Sequence, residues 1–198
     1  MILNHLMGLY THPKEEWHTI EKNHEAVKSS LSHVLLIALI PAICTYFAST
    51  AIGWNLGVSD PLFLTSNSAL MMSISMYFGL IAGVFALAYL AFWMAKTFDA
   101  EPSFTQALEL AAYTATPLFM VGLAALYPSI WFMMVVGLAG LSYSVYLLYT
   151  GVPIIMNIPE EKGFIYASSV VTAGLVLLVA LMASSIILWS MGLGPMYQ

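Results

Sequence analysis

Between residues 104 and 150 the chain reads FTQALELAAYTATPLFMVGLAALYPSIWFMMVVGLAGLSYSVYLLYT, and Glu109 is the only carboxylate or cationic side chain in it. A membrane-crossing helix needs about 20 mostly apolar residues. The run is therefore long enough for two crossings and far too long for one. Pro128 divides it, because proline lacks a backbone donor and disfavours helix in the residue before it. The stretch reads as two helices, residues 104–127 and 128–150, joined by a tight turn at Leu126-Tyr127-Pro128-Ser129.

Working outward, residues 33–53, 70–96 and 164–192 are equally apolar and long enough to cross. The composition agrees: 61% of the 198 residues are apolar, only 8% are charged, and the mean hydropathy is +0.88. Soluble domains carry roughly a quarter charged residues. The fold class expected is all-α, a polytopic five-helix transmembrane bundle. Residues 1–32 form a cytoplasmic segment ahead of it, and residues 193–198 a short external tail. The net charge of −5 belongs to the aqueous segments. Five lysines and no arginine leave no basic cluster for nucleic acid. The lone Cys44 excludes an intrachain disulfide or a thiolate metal cluster. The first thirty residues lack the continuous apolar stretch of a cleaved signal, so the first span is expected to act as an uncleaved anchor.

Orientation follows from the lysines. Lys14, Lys22 and Lys28 precede the first span, Lys96 ends the second, and Lys162 lies between the fourth and fifth. Alternating crossings put all five on one side, which the positive-inside rule assigns to the cytoplasm. Aromatic belts agree, with Trp54, Trp131 and Trp189 near outer ends and Trp93, Tyr149 and Tyr166 near inner ends. Small residues that let helices approach closely occur as Gly79 and Gly83, as Ala107, Ala111 and Ala115, and as Gly137 and Gly140. They read as packing within one bundle, and a homo-oligomer stays open.

Pro13, followed by Glu15 and Glu16, marks a helix start. Trp17, Ile20, His24, Val27 and Leu31 then recur at helical spacing, which predicts an amphipathic helix along the cytoplasmic interface. Upstream, the apolar residues from Ile2 to Tyr10 predict a second short interfacial element. His5, His12, His18, His24 and His33 all lie here or at the bilayer junction. His18, Glu21 and Glu25 share a helical face, but nothing in their spacing forces three or four ligands to converge, and a solvated polar face is expected. No metal or cofactor is assigned.

Inside the spans Glu109 is the candidate intramembrane polar site. A capping box from Ser103 to Gln106 starts its helix and places it shallowly, where it reaches headgroups or a neighbouring helix. Hydroxyls at Thr114, Thr116, Ser142, Ser144, Ser168, Ser169 and Thr172 either bond back to their own helices or line a narrow path. No catalytic residues are assigned. Asp60 and Asp99 lie in loops on opposite sides, every histidine is N-terminal or at the edge of the first span, and no glycine-rich phosphate loop occurs.

AAYTATPLFMVGLAALYPSIW from Ala111 to Trp131, YLLYTGVPIIMNIPEEKG from Tyr146 to Gly163, and HPKEEW near the N-terminus resemble the Yip family, the Ypt/Rab-GTPase-interacting membrane proteins. The likeness is strongest to its compact bacterial inner-membrane branch. Its motif positions fall at Tyr113, Pro117, Leu148, Tyr149, Gly151 and Pro153. The resemblance implies a five-span plan and, for eukaryotic members, membrane trafficking through small GTPases and partner membrane proteins. For the bacterial branch it implies a location and a fold. Physically, Pro117 should kink its helix and free a carbonyl for Tyr113 or Thr114, while Gly151 should cap the fourth span and Pro153 end it.

Three functions are carried forward. The first is a non-enzymatic scaffold organising membrane partners or lipids, with Trp17, Glu21 and Glu160 on its contact surface. The second is a small-solute or ion transporter using the hydroxyls and Glu109. The third is a metal-responsive protein using the N-terminal histidines.

Overall fold

A computed structural model describes residues 2–23, 27–57 and 60–198. The described chain consists of helices: α1 (Ile2–Thr11), α2 (Pro13–Asn23), α3 (Val27–Ile37), α4 (Leu39–Phe47), α5 (Ser66–Met94), α6 (Phe104–Met120), α7 (Ile130–Ile155) and α8 (Glu160–Leu188). Five segments are long and apolar enough to span a membrane: Ser29–Ile52 (α3 and α4 together), Ser66–Phe98, Phe104–Leu126, Ile130–Ile155 and Glu160–Gly192. Each expected span is present, with most ends shifted by a few residues.

The turn after Leu126 forms as read. α6 tightens into a 3-10 turn over Val121–Leu126, and the Ser129 amide donates to the Tyr127 carbonyl at 2.7 Å. The capping box at Ser103 is also present: its hydroxyl accepts from the Gln106 amide, and the Gln106 side chain takes the Ser103 amide at 2.7 Å. The Gln106 side-chain amide also donates to the Ile155 carbonyl at 3.3 Å, tying the start of α6 to the end of α7.

The central element is α6, with 67% of its spanning window buried, against 11% for α7 and 6% for α8. It is surrounded by α3, α5 and α7, while α8 lies outside against α5 and α7. Close approach depends on glycines. A Cβ on Gly122 would come within 2.4 Å of the Pro41 backbone on α4, and one on Gly140 within 2.3 Å of Val121. The outward faces of α7 and α8 expose Trp131, Val135, Leu138, Val176, Val179 and Met182. That surface suits hydrocarbon, since soluble proteins rarely show such continuous apolar area.

One expectation about the spans needs correction. Gly151 and Pro153 do not end the fourth span: α7 runs through both to Ile155. A single interior proline is tolerable in a membrane helix because neighbouring elements re-satisfy the freed backbone. The C-terminal residues are tied to the bundle. The Thr65 amide donates to the Met196 carbonyl at 2.8 Å, and the Gln198 side-chain amide to the Leu64 carbonyl at 2.8 Å. These bonds fasten the end of the chain to the loop before α5.

At the lysine-bearing end, the Lys162 ammonium in the first turn of α8 donates to Asp99, in the turn after α5, at 2.6 Å. That hydrogen bond, then the charge itself, holds the Asp99 carboxyl below the usual range. The folded state gains from the pair above the ordinary aspartate value of about 4, and loses the gain as pH falls through the lowered folded value. Both groups are largely exposed, so the effect is small. Asp99→Asn and the parent should therefore differ slightly in thermal midpoint near neutrality and converge in acid. A difference that widens on acidification would contradict the pairing.

Candidate functional site

α2 does not lie free on the interface. Its apolar stripe, Trp17 and Ile20, is fully buried against the bundle, chiefly on α7. Trp17 therefore belongs to the core and is removed from the expected contact surface. Its ring meets Tyr113 edge-on at 6.3 Å and sits over the bare backbone of Gly151. A Cβ there would approach Trp17 Cε2 to 2.6 Å and Leu110 Cδ1 to 3.0 Å. Gly151 is thus the seat of Trp17 rather than a helix cap. The Trp17 indole nitrogen has no hydrogen-bond partner among the described residues, so shape and burial hold it. α1 is held in the same way: Tyr10 stacks on Tyr143 at 5.3 Å, and the Tyr143 hydroxyl donates to the Leu9 carbonyl at 2.8 Å.

Beneath Trp17 a polar column runs into the bundle. Glu109, Tyr113 and Thr116 follow one another on one face of α6, and His33 of α3 packs on Tyr113 with ring centroids 4.7 Å apart. His33 Nε2 and the Thr116 hydroxyl are 2.8 Å apart, and that hydroxyl also donates to the Ala112 carbonyl at 3.0 Å. Glu109 and His33 are both fully buried. Glu109 therefore packs inside the protein and does not reach the headgroups. A buried donor or acceptor that loses its partner costs about 1–3 kcal/mol. Thr116→Val should lower stability by roughly 1–2 kcal/mol on that ground, read as earlier thermal exposure of the buried Cys44 thiol to alkylation. An unshifted midpoint would mean that the His33 contact carries nothing.

Above Trp17, α2, the end of α7, the loop after it and the start of α8 enclose a cleft of about 750 Å³. Lys14, His18 and Glu21 line it from α2, Tyr146, Tyr149, Thr150 and Pro153 from α7, Asn157 from the loop, and Glu160 and Phe164 from α8. The expected contact residues Glu21 and Glu160 thus share one cleft. Among the described residues Lys14, His18, Glu21 and Glu160 make no side-chain hydrogen bond or ion pair. Tyr149 anchors the floor through a 2.8 Å hydroxyl contact with Ser168. Gly163 lets α8 approach Pro153, since a Cβ there would lie 2.9 Å from the Pro153 ring.

A second, smaller cavity of about 170 Å³ lies between α5, α6, α7 and α8. Its lining is aliphatic apart from Phe119 and the hydroxyls of Thr114 and Ser144. Neither hydroxyl has a hydrogen-bond partner among the described residues, so Thr114 does not serve the carbonyl freed by Pro117. Ser168, Ser169 and Thr172 on α8 donate to carbonyls of their own helix, and Thr172 is exposed on the outer face. Of the seven hydroxyls only those of Thr114 and Ser144 line this cavity. Among the described residues no group of three His, Cys, Asp or Glu converges as a metal site. His24 and Glu25 lie outside the described residues.

The motif positions therefore fall into one assembly: Tyr113 and Gly151 hold Trp17, Leu148 packs in the same core, and Tyr149 and Pro153 floor the cleft. Pro117 lies deeper, facing Gly140. Sequence reasoning missed Leu110 and the His33–Thr116 contact. The spacing of Glu109, Tyr113 and Thr116 on one helical face was the available signal for the column.

Residues 7–181 match the Yip1 domain. The chain belongs to the Yip1-domain family. Two curated relatives, each called inner membrane protein YohC, come from Escherichia coli strains K12 and O6:H1. Each is 38% identical over 191 residues, covering 96% of this chain and 98% of the relative. No solved structure matches. The Yip1-domain match reaches from α1 into the C-terminal half of α8, so it takes in the α2 seat, the column and the cleft.

Proposed function

We propose that this Yip1-domain protein is a non-enzymatic scaffold of the cell inner membrane, and that it gathers membrane partners or lipids through the cleft between α2 and the α7–α8 connection. The observation that carries the reading is the convergence of Lys14, His18, Glu21 and Glu160, unpaired among the described residues, on one open cleft of about 750 Å³. Mixed charge over an aromatic floor suits recognition of a polar group at headgroup depth. The inner-membrane location follows the naming of the YohC relatives. The cleft faces the cytoplasm if the lysines obey the positive-inside rule. A cysteine replacing Asp60 should then react with an impermeant thiol reagent only from outside the cell, and labelling only from the cytoplasm would reverse the orientation.

Photoreactive residues at Glu21 and Glu160 in native membranes test the scaffold. A reproducible crosslinked species at both positions supports it. Crosslinks absent from both, with flux of a solute into protein-bearing liposomes, would favour transport. The buried Glu109 and His33 column is what speaks for that second reading, since ionisable groups in the membrane commonly mark ion paths. The almost wholly apolar cavity beside the column speaks against it.

A further inference from the structure

The cleft holds both signs of charge without letting them meet. Lys14 and His18 project from α2 into the space that Glu21 and Glu160 also border, yet none forms an ion pair or side-chain hydrogen bond among the described residues. Opposite charges that share a cavity but stay apart suit a ligand carrying both complements. The cleft lies where one membrane span ends at Ile155 and the next begins at Glu160, beside half-exposed Tyr146 and exposed Phe164. Tyrosine rings sit at the headgroup layer. Its volume falls in the range of small-molecule sites, about 300–1,000 Å³.

We infer that the cleft binds the headgroup of a zwitterionic phospholipid, its phosphate on Lys14 and the His18 ring N–H, its ammonium between Glu21 and Glu160. The inference rests on the cleft being the binding surface, and it names lipid as the occupant. Phosphate is common to all phospholipids, and ammonium is not. Lys14 should therefore govern overall lipid retention, and the two carboxylates should govern selection.

The test is native mass spectrometry of the full chain equilibrated with vesicles of equal ethanolamine and glycerol phospholipid. The parent should retain the ethanolamine lipid in roughly tenfold preference, about what two surface-type carboxylate–ammonium contacts supply. Glu21→Gln with Glu160→Gln should bring the ratio near one. Lys14→Gln should reduce both lipids alike, and Glu101→Gln, an exposed acid outside the cleft, should change nothing. Unchanged Cys44 protection shows that each variant is folded. Equal retention by the parent, or a preference that survives loss of both carboxylates, overturns the inference. Protein crosslinks at Glu21 and Glu160 alongside either result would keep the scaffold and remove lipid as its ligand.

Discussion

Trp17→Ala should lower stability by about 3–5 kcal/mol, the usual cost of deleting a fully buried large aromatic side chain, and should release the N-terminal helices from the bundle. Trp17 joins α2 to α6 and α7 through Tyr113, Leu110 and Gly151. Without it α2 keeps Ile20 as its only buried anchor. Two readouts separate local from global loss. Trypsin cleavage at Lys14 and Lys22 reports unseating of α2, while alkylation of buried Cys44 on α4 reports opening of the bundle. Trypsin sensitivity should rise first. Trp17→Phe should be much milder, because the indole nitrogen has no hydrogen-bond partner among the described residues to lose. Equal damage from both substitutions would show that the indole edge matters in a way the packing does not explain.

Gly151→Val should act on the same joint from the opposite side, at about 3 kcal/mol, the upper part of the range for overpacking a well-filled core. A Cβ alone would stand 2.6 Å and 2.8 Å from two Trp17 ring carbons, so the ring has to leave or α7 has to bend. The helix itself should survive, since Gly151 has ordinary helical geometry and sits inside α7. Combining Trp17→Ala with Gly151→Val should cost much less than the sum, because the cavity made by one receives the side chain added by the other. Strict additivity of the two, measured by Cys44 exposure, would mean that they do not share a site.

The spans were legible because lipid imposes a simple rule: enough apolar residues in a row make a crossing. Pro128 and the Ser103 capping box fixed local boundaries for the same reason, since each depends on near neighbours alone. The N-terminal segment was misread in one respect that near neighbours cannot decide. A stripe containing Trp17 and Ile20 fits a lipid surface and a protein surface equally well, and only the bare Gly151 and the edge of Tyr113, distant in sequence, select the protein. Gly151 and Pro153 were misread as helix punctuation. In water that reading has force, but a membrane helix keeps going through such residues when neighbours satisfy the backbone. Glu21 and Glu160 were picked for their shared side of the membrane. Their meeting in one cleft depends on how α2 folds back, which no periodicity records.

The central claim is that seating α2 on α7 builds the binding surface. The most direct test places a photoreactive residue at Glu21 or at Glu160, each in the parent and in the Gly151→Val background, in native membranes. Both positions should capture the same species in the parent, and both should lose it when α2 is unseated, although Glu160 itself is untouched by the substitution. Capture at Glu160 that persists unchanged in Gly151→Val would contradict the claim and assign binding to the α7–α8 connection alone.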